Sequence, residues 1–320
     1  MSTEHSSNTA SHTVPWSVTA ATGVGSMPGT DALEAATVVV GELPEFPHLP
    51  ELPDRGVGAD IIGRTAGLLV DLAVEVVPSG YRVTSRPGRD HRRAVDLMRR
   101  DLDAFEEALD RAGARPPAVK VQLAGPWTLA SEIELPRGHR VLTDSGALRE
   151  FTESLGEGLA AHVAEMSRRS GDAPVVVQFD EPALPSVLAG ALSTPSGYGT
   201  VRAVPEPEAK ALLAELIGAA RGATGQPVIV HCCAPRPPVG LVRAAGAGAI
   251  SLDATLLDGA PAALADDIGE TLDAGVPLLL GLVPGVAPRR PFELADAAGP
   301  ALRLVDRLGF PRTMLAERAM

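Results

Sequence analysis

The chain has 320 residues, 45% hydrophobic and 21% charged, which is enough apolar material for a large core and far from disordered or fibrous compositions. Its net charge of -12 excludes the clustered positive surface that nucleic acid or an anionic membrane demands, and no apolar run reaches the roughly 18 residues of a membrane span. Length alone permits two domains, but α/β barrels of this size are commonly one, so a single domain is the expectation.

In chain order, residues 1–19 come first. They open on the polar stretch MSTEHSSNTASHTVPWS, lack the apolar centre of a secretory signal, and read as a flexible tail ahead of one domain over 20–320. Two adjacent cysteines and no signal give an oxidising compartment no support, which points to the cytoplasm.

The first short apolar run is ATGVGS (Ala21 to Ser26), and a less regular one, FPHLPEL, follows at Phe46 to Leu52. The basic stretch from Arg86 to Asp103 alternates with acids and reads as the solvated face of a helix. AVKVQLAGP (Ala118 to Pro126) is the third run; its Lys120 and the later Lys210 are the chain's only lysines. An amphipathic helix is predicted over Gly146 to Gly171, then a strand in APVVVQFDEP (Ala173 to Pro182) and a helix over Glu206 to Gly225. Three more runs follow: QPVIVHCCAP (Gln226 to Pro235), GAISLDA (Gly248 to Ala254) and VPLLLGLVPG (Val276 to Gly285). A helix over Phe292 to Phe310 closes the series.

Continuous apolar strands alternating with helices make an α/β fold whose parallel sheet is covered on both faces. Polar residues gather at the C-terminal strand ends: Gly25 and Ser26, Gly125 to Thr128, Asp180 and Glu181, His231 and Cys233, and Asp253. A barrel brings all such ends to one mouth, whereas an open doubly wound sheet joins only those beside a switch point. A TIM-type (β/α)8 barrel is therefore predicted. Seven strands are countable, and PRTMLAERAM after Phe310 has room only for the start of another, so the expected barrel lacks all or part of its eighth strand in this chain.

Strand parity assigns the chemistry. In VIVHCC, His231 and Cys233 point one way and Cys232 the other; Gln178 shares a face with Asp180, and Ser251 with Asp253. A His and a Cys two apart can share a tetrahedral metal with a carboxylate from the next strand, or can be ordinary core residues. Asp180, facing the mouth, suits a ligand ammonium, a proton-donor role or a loop-anchoring salt bridge, while Glu181 faces away toward the loop or its helix. The turn GVGSMPGTD offers backbone N–H groups to a carboxylate or phosphate.

Together these stretches resemble the catalytic domain of cobalamin-independent methionine synthase, within the barrel superfamily that also holds uroporphyrinogen decarboxylase. TGVGSMPGT resembles its first-strand motif, LAGPWTLA its GPxT segment, VQFDEPAL its QxDEPAL segment and VIVHCCAP its HxC strand, the last two about 50 residues apart. The short, single-barrel actinobacterial members match best in style. The resemblance implies a methyltransferase in which a zinc ion holds homocysteine, or a similar thiol, as a thiolate that attacks a methyl donor. By motif, His231 and Cys233 are zinc ligands, with Asp253 where the family usually has Glu. Asp180 and Glu51 are implied as partners of the substrate ammonium, with the Gly25 and Ser26 backbone near its carboxylate.

Three departures stand beside the resemblance. No second Cys follows on a last strand, which suggests a truncated chain; GLVPGVAPRRP lacks the family's catalytic His, so no catalytic residue is assigned; and the folate-binding N-terminal half is missing. The methyl donor is accordingly a folate or a corrinoid protein. Two alternatives remain at this stage: a decarboxylase of carboxylate-rich substrates, drawing on Arg55, Arg64 and Arg236, and a non-catalytic barrel that binds a thiol or amino acid.

Overall fold

A computed structural model of the protein describes residues 14–17, 19–194, 197–283, 285 and 293–320. Among the described residues the strands are β1 (Ala73–Val77), β2 (Gly80–Thr84), β3 (Val119–Ala124), β4 (Ile133–Glu134), β5 (Val175–Asp180), β6 (Ile229–Cys232), β7 (Ala249–Asp253) and β8 (Leu278–Gly281). β3, β5, β6, β7 and β8 form one parallel sheet in that order. Helices fill the connections, including Ser145–Arg169 between β3 and β5 and Glu206–Thr224 between β5 and β6.

Two earlier segments extend the same order. His48 bridges Lys120 of β3 in parallel, and Ser26 bridges Glu51 in parallel. The amide of Leu49 donates to the Lys120 carbonyl at 2.9 Å, and that of Glu51 to the Gly25 carbonyl at 3.0 Å. At the far edge, Ala319 bridges Leu278 in parallel, and the Met320 amide donates to the Leu278 carbonyl at 2.8 Å. The chain thus runs through seven parallel segments and the first residues of an eighth, the strand order of a TIM-type barrel that the sequence predicts.

Burial on both faces explains why these strands read as unbroken apolar runs. Val119, Val121 and Leu123 pack outward in the main core, while Ala118, Val176, Ile229, Ala249 and Leu279 meet Phe46, Trp16 and Ala20 in a separate inner cluster, with Met320 against it. This cluster is the floor beneath the C-terminal strand ends. Above it the inward positions turn polar: Lys120, Gln122, Gln178, Asp180, His231 and Ser251 are all buried. Trp16 is 5% exposed, and its ring stacks on Phe46 at 4.7 Å, so packed structure begins before residue 20, where the sequence places the domain boundary. Residues 1–13 of the expected tail lie outside the described residues.

The basic stretch becomes the helix Arg89–Ala112, with Arg89, Arg92, Arg93, Arg99 and Arg100 exposed and Leu97, Met98, Leu102 and Phe105 buried, as expected of a solvated face. Asp101 departs from that pattern and is buried. Sequence reasoning missed the antiparallel hairpin of β1 and β2, which β4 joins in parallel outside the barrel sheet. Its residues alternate only weakly in burial, which removes the period-two signal. No helix among the described residues is long and apolar enough to cross a membrane.

Candidate active site at the strand ends

Gly25 takes φ +149°, and a Cβ there would sit 2.8 Å from the Gln122 side chain, so the first segment passes the barrel interior at a distance only glycine permits. The next residue, Ser26, bridges Glu51, which places the GVGS turn and Glu51 side by side. Glu51 is 3% exposed, and its Oε1 has no hydrogen-bond partner. Burial holds its carboxyl above the usual range, with Arg64 the largest influence in the other direction, followed by Gln122 and Lys120.

Asp180 ends β5 and is fully interior, accepting from Gln178 Nε2 at 2.7 Å. Gln178 in turn accepts from Lys120 Nζ at 2.8 Å, and Lys120 also donates to the Val24 carbonyl at 3.2 Å and to Gln122 Oε1 at 3.3 Å. Burial raises the Asp180 pKa and the proximity of Glu51 raises it further. Lys120 is lowered to about 8 by burial, against the pull of Asp180 and Glu51. Glu51 and Asp180, which the sequence expects to share one ammonium, are both buried and Glu51 acts electrostatically on Asp180, and a buried ammonium that the sequence did not foresee, Lys120, interacts with both. AVKVQLAGP carried the signal: a lysine and a glutamine at alternate positions of an apolar strand point into the barrel.

Glu181 turns the other way, as parity requires. Its Oε1 accepts from the Trp127 amide at 3.0 Å, and its Oε2 from the Thr128 amide at 2.8 Å and the Thr128 hydroxyl at 2.7 Å. These are first-turn donors of the helix Pro126–Glu132, so the DEPAL strand end caps the GPWT helix. Burial raises Glu181 to about 7.

His231 lies next to Asp180 in the β5–β6 register and opposite Ser251 in the β6–β7 register, and its Nδ1 is 2.9 Å from Ser251 Oγ. Burial lowers its pKa to about 4. Cys233 is exposed just past the end of β6 and burial raises its thiol, whereas Cys232 packs in the core with its thiol pushed up to about 12. Asp253 ends β7 and caps the following turn, its Oδ1 accepting from the Thr255 amide at 2.9 Å and hydroxyl at 2.6 Å. Among the described residues no three His, Cys, Asp or Glu side chains stand close enough to hold a metal ion. The donor chemistry nevertheless suits zinc, which takes imidazole, thiolate and carboxylate together. His231 also has the ring arrangement of a ligand, one nitrogen held by Ser251 and Nε2 left over. A cavity of about 330 Å³ between residues 20–24 and Leu279–Val283 reaches Gln178 and Ser251, the side chains that hold Asp180 and His231.

Behind Glu51 lies a buried ion cluster absent from the sequence-level picture. Arg55 binds Asp101 through both of its terminal nitrogens at 2.6 and 2.8 Å, Arg64 Nη1 binds the same carboxylate, and Arg64 Nε stands 3.6 Å from Glu51 Oε1. Arg55 and Arg64 are therefore committed to protein carboxylates, which removes two of the three guanidinium groups that a decarboxylase reading requires. The segment in which the family's catalytic His was sought falls largely outside the described residues, at 284 and 286–292.

Among solved structures the chain is similar to a methyltransferase from Methanosarcina mazei, at 14% identity, 87% of this chain and 86% of that one covered, and a TM-score of 0.45. It is also similar to a B12-independent methionine synthase from Shewanella sp. W3-18-1 in complex with selenomethionine, at 13% identity and a TM-score of 0.44. That match covers 78% of this chain, which spans 65% of the Shewanella protein. A GH113 β-mannanase from Alicyclobacillus acidocaldarius matches at 14% identity, 96% and 86% coverage and a TM-score of 0.43. No curated relative matches by sequence. Likenesses this distant carry no argument about chemistry. The family model for the cobalamin-independent synthase catalytic domain, by contrast, matches residues 18–296 and so takes in the GVGS turn, Glu51, the GPWT helix, DEPAL and the HCC strand. The chain belongs to that family of cobalamin-independent synthase catalytic domains.

Proposed function

We propose that this domain binds homocysteine, or a similar aminothiol, at the barrel mouth and transfers a methyl group to its sulfur. One observation carries the reading: Glu51 and Asp180, from different strand segments, are both buried and within electrostatic reach of each other, beside the strand that bears His231 and Cys233. Two carboxyl groups so placed repel each other and lack solvent, and a ligand ammonium relieves both penalties. Asp180 is oriented for that contact by Gln178, and the Glu51 Oε1 is left without a hydrogen-bond partner. The Gly25–Ser26 turn, paired to Glu51, is the proposed seat for the ligand carboxylate.

His231, Cys233 and Asp253 are the proposed zinc ligands, with the His231 ring fixed through Ser251. Zinc bound there would ionise a thiol at neutral pH and leave it nucleophilic. The methyl donor in this reading is a folate or a corrinoid carrier.

Zinc content tests the reading first. Wild type purified from zinc-supplemented medium is expected to hold about one zinc per chain, and Cys233→Ala and His231→Ala to hold far less. Wild type without zinc would remove thiol activation from the proposal. Zinc without methyl transfer to homocysteine, from either class of donor, would leave a binding barrel in place of an enzyme.

A further inference from the structure

We propose that Arg64 is a positioning residue for ligand binding: clamped from behind by Asp101, it holds a guanidinium charge beside Glu51 that favours the carboxylate form needed to receive a ligand's ammonium group. The inference rests on the reading of the mouth as an amino-acid site and adds the group on which that site depends.

Arg64 comes from the short helix Ile61–Ala66, whose first turn is fixed by Asp60 accepting from the Ile62 and Gly63 amides. Its side chain is 2% exposed and cannot swing away. Nη1 binds Asp101, Nη2 lies 3.6 Å from Met98 Sδ, and Asp101 is itself gripped bidentately by Arg55. What remains is the Nε edge, which faces Glu51 Oε1 at 3.6 Å. Neither atom has a hydrogen-bond partner. The separation is too long for a hydrogen bond yet short for an ion pair in a buried site. Arg64 thus supplies charge to Glu51 without hydrogen-bonding its Oε1.

The other charged groups around Glu51 are Lys120 from β3, Asp101 from the helix Arg89–Ala112 and Asp180 from β5. Lys120 is engaged by Gln178 and serves both carboxyl groups, whereas Arg64 is in ion-pair range of Glu51 itself. Without Arg64 the buried carboxyl keeps its proton to higher pH. An ammonium ligand must then displace that proton, so its affinity falls at neutral pH and returns as pH rises.

The test uses calorimetric titration of metal-free protein with methionine and with its deaminated analogue 4-(methylthio)butanoate, which isolates the ammonium contact from any metal–thiol chemistry. Wild type is expected to prefer methionine. Arg64→Gln is expected to lose part of that preference, by about tenfold for each unit that the Glu51 pKa climbs, and to recover it as pH rises. Affinity for the deaminated ligand should not move. Arg64→Lys should retain most of the preference, and in a Glu51→Gln background Arg64→Gln should add nothing further.

Equal losses for both ligands, an unchanged pH profile, or the same loss in the Glu51→Gln background would overturn the assignment. If Arg64→Gln does not fold, Arg64→Met, which keeps much of the side chain's bulk without its charge, is expected to weaken methionine binding alone, and unchanged methionine affinity there overturns it equally. Failure of the underlying amino-acid reading has a different signature, because wild type itself would then show no preference for the amine.

Discussion

Glu181 is a carboxyl group whose work is structural although it stands one position from Asp180, the acid proposed to face the ligand. Its two oxygens take three donors from Trp127 and Thr128, and burial raises its pKa from 4.5 to about 7. A carboxyl raised on folding binds its proton more tightly in the native chain than in the unfolded one. Its contribution to stability is therefore present at low pH, declines from about pH 4.5 to about pH 7, and is flat above that. Glu181→Gln removes that titration, so its melting temperature should rise relative to wild type as pH increases across this window. A difference between the two proteins that stays constant with pH would refute the assignment. Asp180, the neighbouring residue, lies on the opposite face of the strand and meets Gln178 and the field of Glu51 instead. A one-residue offset thus separates a helix cap from a proposed ligand contact.

Among the elements, the helix Pro126–Glu132 depends on a glycine. Gly125 is its N-cap, and a Cβ there would sit 2.4 Å from Glu181 Oε1. Gly125→Ala must push the carboxylate off its three donors, with an expected cost of about 1–3 kcal/mol in urea unfolding. A melt indistinguishable from wild type would mean that the cap is not formed. The β5, β6 and β7 strands show how register assembles the site: Asp180 pairs with His231, and His231 with Ser251, so three inward side chains of different chemistry fall on adjacent strands. The sequence made this much legible, because a strand's period of two assigns a face once the strand is recognised. It did not reveal Arg64 and Asp101, which lie on two different helices in stretches of ordinary helical pattern. Their pairing across 37 positions exists only after the helices pack.

For the whole molecule, the floor cluster is the feature that ties the early segments to the last strands of the parallel sheet. Trp16, Phe46, Ala118, Val176, Ile229, Ala249 and Leu279 come from separate segments along the chain and meet in one cluster. Trp16→Ala is expected to cost about 3 kcal/mol and to lower the melting temperature, despite a position near the N-terminus. An unchanged melt would place Trp16 outside the folding unit and restore residue 20 as its start.

The sequence by itself determined the α/β alternation, the seven parallel segments with the start of an eighth, the family and the inward faces of Asp180 and His231. Those properties are periodic or motif-borne, and a local stretch of chain suffices to encode them. Only the tertiary structure decided that Lys120 is interior, that Trp16 belongs to the floor, that Glu181 caps a helix and that Arg64 faces Glu51. Each of these depends on distances between residues remote in the chain, which are fixed by barrel register and helix packing and leave no periodic trace in the residues themselves.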